Sequence, residues 1–495
     1  MAAPVVTLFA LATCPHCIRA KRTLQKLGLP YGEISLSDHS DRRADMVALA
    51  ASWTVPQVFF HNTHIGNADR LEALAEDESA LAEKLEEAQR EMDSGVPRDA
   101  RLTLPPAPTE EEVMAREQAE SAVAAVLEAA AEKPVAYQHL HEELMSHAQG
   151  CLTTTVQGEQ VLRACKFDSE LANAVVGSGL VRLAAKSGGK RVGVGTAPLD
   201  KSATYVFAEG QIALNERFVF VPSKIGHKVL EAARPFDTLT ALKKALEKAE
   251  AMHYDDEGRV DAAAVVKDKG FQDYERQVCV LQDPSLFGWF NQPHAKPKGA
   301  TVDADNYKLA FTINLYNMIV RHAMLRRGVA STNWARLKWF DAVTVNVGGR
   351  RYSLNDLENG VLRMNSKTPF HFSKHNVPSP LSKREPRIHF ALNCGARSCP
   401  PVKLFTPFAV RQELEIATQA FLEMDENMQV EGQVLRLSKI FSWYKSDFGD
   451  VKDFVLANGR AGEPKLEMLR GANRIRKVEF LFYDWATNLK NAKQW

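Results

Sequence analysis

The chain has 495 residues, 45% of them hydrophobic and 25% charged, with a formal net charge of +1 at pH 7. That length exceeds one ordinary domain, the composition is that of globular material, and the balanced charge gives no global pull toward nucleic acid or an anionic membrane. No apolar run reaches bilayer length and no basic leader opens the sequence; the seven cysteines (14, 17, 151, 165, 279, 394 and 399) make no secreted disulfide framework, so a reducing, cytoplasmic setting is expected.

In chain order, VVTLFA predicts a short strand, and residues 14–27 carry helical periodicity that stops at Gly28. YGEISLS predicts a second strand and residues 39–52 a second helix. PQVFFHNTHIG predicts a hairpin, with helices over 67–92 closing an α/β domain at 1–92. Residues 93–109 hold four prolines and little to bury, which predicts a linker. Thr109 and Glu112 are spaced as a capping box for the next helix. Residues 110–210 predict a mainly helical, winged-helix-like module whose wing turns at Gly188-Gly189, and 211–259 a helical connector. The acidic loop HYDDEGRVD lacks the alternating carboxylates of a calcium loop and reads as solvated surface. Residues 260–495 mix helices with hairpins at Gly348-Gly349 and Glu431-Gly432 and predict an α+β domain.

The chemistry legible in this frame begins at Cys14 and Cys17, a C-x-x-C that follows a strand and opens a helix. A helix N-terminus stabilises a thiolate, so the outer Cys14 is the expected nucleophile and Cys17, one turn in, the resolving thiol. Pro15 suits the first turn, where its missing N–H would be unpaired anyway. Zinc is the rival reading, but 1–92 offers no second C-x-x-C and no finger-like histidine pair, so no metal is expected.

TCPHCIRAKRTL, TVPQVFF and HIGNADRL stand in the order and spacing of the matching segments of glutaredoxins, which residues 4 to about 90 resemble. The resemblance implies a thioredoxin-like fold and glutathione as reductant, with no tightly bound cofactor. By position it implies Cys14 as nucleophile and Cys17 as resolving thiol. Thr54 and Val55 would pair with the glutathione backbone, Pro56 would be a cis-proline beside the sulfur, and Ala68 and Asp69 would hold the γ-glutamyl end. The sequence departs from the family at Leu11 and Trp53, where basic residues often stand, and at Asn67 and Arg70. His16 between the cysteines is similar to strongly oxidising periplasmic disulfide catalysts, in which a cation beside the thiolate stabilises the reduced form; a tolerated exposed side chain explains it equally. Cluster-bridging glutaredoxins tend to carry one active-site Cys or small neighbours, so CPHC argues against an iron–sulfur role.

FDSELANAVVGSGLVRLAAK, after GCLTTTVQGEQVLRAC, resembles the latter part of DEP domains, which implies docking to a membrane or a signalling protein. A helical spacer is the plainer reading. Lys186, Lys190 and Arg191 make only a small basic cluster, so nucleic acid is not expected. EPRIHFALNCGARSCPPVKLF, with AFTINLYNMIVRHA, YSLNDLENGVLR, LSKIFSWYKSDFG and YDWATN, resembles a widespread domain family of unknown function over about 260–490.

Within that domain Cys394, Cys399 and His389 are a candidate second site. Cys394, at the end of an expected strand, is a possible hydrolase nucleophile with His389 or His322 as base, but five residues apart on a strand Cys394 and His389 face opposite sides. A Cys394–Cys399 redox pair and a plain buried turn are the other readings. Asn314 and Asn317 are expected as buried hydrogen-bonding anchors, and Trp443, Tyr444 and Phe448 as core. The whole predicts a glutaredoxin-type thiol–disulfide oxidoreductase acting on protein disulfides or glutathionylated proteins, fused to signalling and unknown-function domains. The alternatives are a redox-regulated scaffold, or a C-terminal cysteine hydrolase or transferase switched by the N-terminal domain.

Overall fold

A computed structural model describes residues 6–10, 15–36, 39, 42–50, 52, 54–106, 109–132, 135–136, 155–166, 168–177, 181–183, 204–207, 213–221, 227–255, 257–369, 375–400, 402–470 and 475–495. The chain divides into two compact units, one of residues Met1–Glu110 with Arg411–Ile416, the other of Glu111–Val410 with Ala417–Trp495.

The first unit is built on strands β1 (Val6–Ala10), β2 (Tyr31–Ser35), β3 (Gln57–Phe60) and β4 (Thr63–Gly66), in the order β2-β1-β3-β4. β1 is parallel to β2 and antiparallel to β3, which forms the expected hairpin with β4. β1 and β3 are buried at every position, because apolar cover lies on both faces of the sheet. One face packs Leu8, Val58 and Phe60 against α1 (Pro15–Lys26), α3 (Ala68–Glu76) and α4 (Glu78–Asp93) through Cys17, Leu24, Leu71 and Ala88. The other packs Phe9, Ile34 and Phe59 against Met46 and Ala50 of α2 (Arg43–Ala50). This is the thioredoxin-like α/β arrangement expected of the N-terminal domain.

The stretch expected to be a free linker is partly fixed to this unit. Leu102 is wholly buried in the second cluster, with Leu104 packed beside it. The Arg42 Nη2 donates to the Arg101 and Thr103 carbonyls at 2.7 and 3.2 Å. Prolines stop regular structure here, but two leucines spaced by two still find the sheet.

In the middle segment, strand Thr204–Phe207 lies between Thr155–Gln157 and Val181–Leu183, antiparallel to both. Helices Gly158–Ala164 and Ser169–Gly177 join the two outer strands. The expected Gly188-Gly189 turn and its basic cluster lie outside the described residues.

The expected connector is not separate from the C-terminal domain. Asn215 accepts from the Asn346 N–H at 2.8 Å and donates to its carbonyl at 2.7 Å, while the buried Glu216 pairs with Arg351 at 2.6 Å. Helix Pro235–Ala251 packs its Leu239, Leu242 and Leu246 face against helices Lys269–Gln277 and Ala304–Arg327. Ala304–Arg327 is buried on nearly all sides, polar residues such as Asn314, Asn317 and His322 included, and forms the spine of the domain. Gly348 (φ +57°) and Gly349 (φ +84°) make the tight turn between strands Thr344–Val347 and Arg350–Ser353, a backbone most residues resist. Strands Met428–Glu431, Val434–Leu437 and Lys477–Phe480 form a three-stranded sheet over Phe390, Phe441, Phe448 and Phe454.

Candidate functional site

Two candidate sites involve the described residues, one in each unit. In the first, α1 opens at Pro15; Cys14, Leu11 and Trp53 lie outside the described residues. Cys17 is wholly buried in the α1 face of the core, so no thiol arriving from solvent reaches it directly. Val55 packs against the same cluster, and the Val55–Pro56 bond is cis, as the resemblance implies. The expected glutathione contacts are partly engaged within the chain. The exposed Thr54 gives its carbonyl to Gln57 Nε2 at 2.7 Å. Gln57 Oε1 in turn meets His64 Nε2 at 2.6 Å, and burial followed by the charge of Arg70 pushes the His64 imidazole below its ordinary value. Ala68 starts α3, capped by the Asn67 side chain accepting from the Arg70 N–H at 3.0 Å. The Asp69 carboxylate, expected to face a glutathione ammonium, is paired with Arg19 Nη2 at 2.8 Å. Arg19 also binds Glu72, and its Nη1 lies 3.3 Å from His16 Nδ1, so a cation sits two residues beyond Cys17.

The second site is a cavity of about 410 Å³ in the C-terminal domain. The expected strand before Cys394 is absent: Glu385 caps a short 3₁₀ helix, Pro386–Phe390, and the chain then turns irregularly. Strand parity therefore does not apply, and His389, Cys394 and Cys399 all line this one cavity. The two sulfurs are 3.1 Å apart and unbonded. The Cys394 N–H donates to Cys399 Sγ at 3.2 Å, and the Tyr483 hydroxyl lies 3.3 Å from Cys399 Sγ and 3.7 Å from Cys394 Sγ. Burial works to push the Cys399 thiol up, but hydrogen bonds from the Cys394 thiol, the Tyr483 hydroxyl and the Cys394 N–H outweigh it and bring it down to about 7. Sharing its proton with Cys399, and then burial, push Cys394 well up. Of the two, Cys399 is the more readily deprotonated.

Among the described hydrogen bonds none joins His389 to either sulfur. Its Nε2 meets the buried Asp447 at 2.9 Å, and its ring stacks on Tyr444 at 3.8 Å. Burial pushes His389 down despite that carboxylate. Asp447 also receives Arg363 Nε at 2.5 Å, and these hydrogen bonds outweigh burial and hold its carboxyl well below the usual range. His322, the other candidate base, is buried beside Tyr274 and Glu275 and does not line the cavity. The hydrolase pairing thus lacks a base on the sulfur, whereas the sulfur–sulfur pairing is direct.

Sequence reasoning missed Glu358, Arg336 and Tyr483. Glu358 comes from a π-helical turn, Asp356–Leu362, and accepts from Tyr444 and Tyr316 hydroxyls at 2.6 and 3.2 Å. Arg336 lies over the Trp485 ring at 4.0 Å, and Trp443 and Tyr444, expected as core, line the wall, while Phe448 is buried as expected. Asn314 and Asn317 are the expected anchors: Asn314 Nδ2 donates to the Phe405 carbonyl at 2.7 Å, and Asn317 Nδ2 donates to the Ala391 carbonyl at 2.9 Å while its Oδ1 accepts from the Asn393 N–H at 2.8 Å. A signal existed: each of the five segments that carried the family resemblance supplies a residue to this cavity.

Comparison with known proteins matches the two units differently. Residues 6–65 match the glutaredoxin family, and residues 301–422 a family described as a protein of unknown function, DUF547, a shorter span than the resemblance suggested. A glutaredoxin of Pseudomonas aeruginosa is 42% identical over 71 residues, 14% of this chain and 84% of that protein. Glutaredoxin 3 of Escherichia coli K12 is 36% identical over 69 residues, 14% of this chain and 83% of that protein. Among solved structures, a buckwheat glutaredoxin–glutathione complex is 29% identical and covers 17% of this chain and 80% of that one, with a TM-score of 0.16.

Proposed function

The chain belongs to the glutaredoxin family through its N-terminal domain, and from that premise we propose that the protein is a glutathione-dependent thiol–disulfide oxidoreductase acting on glutathionylated or disulfide-bonded proteins in a reducing cytoplasm. The observation that carries the glutathione route is the burial of Cys17. Cys14 thiolate attacks the glutathione sulfur of a mixed disulfide, forming Cys14–S–S–glutathione and releasing the substrate thiol. A second glutathione then attacks that glutathionyl sulfur, releasing oxidised glutathione and restoring Cys14. Cys17, closed to solvent, reacts only with a partner already on Cys14, so it resolves intramolecularly or not at all. Thr54, Val55, Pro56 and the α3 N-terminus at Ala68 form the docking edge in this reading, and a glutathione ammonium displaces Arg19 to reach Asp69.

The strand–helix–helix–strand–strand order of 155–207 supports a winged-helix reading of the middle segment, to which we assign a DEP-type docking role toward a signalling protein or membrane.

The test is glutathione-dependent release of thiol from a glutathionylated peptide by the full chain. Cys14→Ser should abolish release, and Cys17→Ser should retain a substantial fraction. Equal loss in both variants would favour an obligate dithiol route; an inactive wild type would leave a docking module.

A further inference from the structure

We propose that Cys394 and Cys399 form a second thiol–disulfide centre, in addition to the N-terminal one, that reduces a small aromatic disulfide carrying negative charge. Four observations converge on it. The sulfurs touch at 3.1 Å on a turn whose Gly395 (φ +86°) takes a backbone that favours glycine. Cys399 Sγ accepts from the Cys394 N–H and lies within hydrogen-bond reach of Cys394 Sγ and Tyr483 OH, partners that can stabilise a thiolate there. Both sulfurs face a cavity of about 410 Å³, room for a small molecule. Its wall carries the rings of Trp443, Trp485 and Tyr483, with the Arg336 guanidinium over Trp485 and Lys439 at the exposed rim, against the Glu358 carboxylate, which two tyrosine hydroxyls already engage. An aromatic wall whose cations outnumber its carboxylate selects a flat anion over a neutral aliphatic molecule.

The step balances without a metal or further cofactor. Cys399 thiolate attacks one sulfur of R–S–S–R′, forming Cys399–S–S–R and expelling R′S⁻ as the free aryl thiolate, while Cys394 gives up its proton to water. The Cys394 thiolate then attacks the Cys399 sulfur, forming the Cys394–Cys399 disulfide and releasing RS⁻. The substrate gains two electrons and the pair loses them. Two glutathione molecules, oxidised to glutathione disulfide, return the pair to dithiol. Tyr483 is a positioning residue that holds Cys399 ready.

The probe is 5,5′-dithiobis(2-nitrobenzoate), an aromatic disulfide dianion, added to the full chain carrying Cys14→Ser, Cys17→Ser and Cys151→Ser, so that the N-terminal centre is silent whatever its own function and Cys151 contributes no thiol. At pH 7 a fast phase should release two aryl thiolates per pair and leave a Cys394–Cys399 linked peptide by mass mapping. Cys165 and Cys279, both buried, should stay out of that phase. Adding Cys399→Ser should slow it at least ~10-fold, the thiolate fraction lost when a pKa near 7 gives way to one of about 8.5 or above. Adding Cys394→Ser, which removes a thiol hydrogen-bonded to Cys399, should slow the phase less than Cys399→Ser does, release one thiolate and leave the aryl adduct on Cys399. Tyr483→Phe, which keeps the ring, should move the pH midpoint of the fast phase upward. Glutathione added to the linked form after the probe is removed should return both thiols, with one glutathione disulfide formed per pair. Relative to each reagent's rate with free glutathione, the fast phase should exceed that with bis(2-hydroxyethyl) disulfide. A fast phase that survives Cys399→Ser, release without the linked peptide, or a link that glutathione does not reduce would each overturn the proposal.

Discussion

Gly395 shows how one residue governs the second site. Its φ of +86° is costly for any side chain, and a Cβ there would meet Met324 Sδ at 2.2 Å. Met324 has rotamers to spare, so the backbone term dominates, and Gly395→Ala should cost about 1–2 kcal/mol. A denaturant midpoint followed by tryptophan fluorescence checks this, since six of the seven tryptophans lie after residue 288. An unchanged midpoint would show that the turn relaxes. At this scale the sequence was legible where chemistry is local: Cys14-x-x-Cys17 and the unusual Cys394/Cys399 spacing both announce themselves. It was illegible where partners are distant. Tyr483 reaches Cys399 across 84 residues, and Glu358 reaches Tyr444 across 86, contacts that only the packed domain creates.

Elements read well where periodicity is strong and poorly where an apolar run is short. β1 to β4 and their helices fall where the pattern placed them, because strands covered on both faces and amphipathic helices leave distinct signatures. IHFAL before Cys394 is as apolar as a strand, yet Pro386 and the Glu385 cap turn it into a 3₁₀ helix. The proline-rich segment after α4 was read by its breakers and not by its leucines. Leu102 is fully buried against Phe9, Ile34 and Phe59, so Leu102→Ala should cost the N-terminal unit about 2–5 kcal/mol, a cavity penalty no linker residue would incur. Faster amide exchange in the β1, β2 and β3 peptides of this unit is the expected readout, and unchanged protection would return the segment to linker status.

Across the whole molecule, buried histidines set an acid limit. His389 and His322 are pushed below the ordinary 6.5 by burial, so the unfolded chain binds more protons than the folded one once pH falls through that value. Their contribution is present above about pH 6.5 and is lost as pH drops toward the folded-state values. Glu275, where hydrogen bonds from His322 and Arg326 outweigh burial and bring it to about 2, and Asp447 extend the loss below pH 4. The tryptophan-detected urea midpoint should therefore fall between pH 7.5 and 5.5, and a flat profile would contradict it.

The closeness of Cys394 and Cys399 along the chain has a thermodynamic side. A cross-link between residues five apart ties off a very small ring, removing little freedom from the unfolded chain, about 2 kcal/mol on the loop-entropy relation. Oxidation would raise the melting temperature by only about 4–8 °C for a domain of this size, so the domain could cycle between dithiol and disulfide without its folding being at stake.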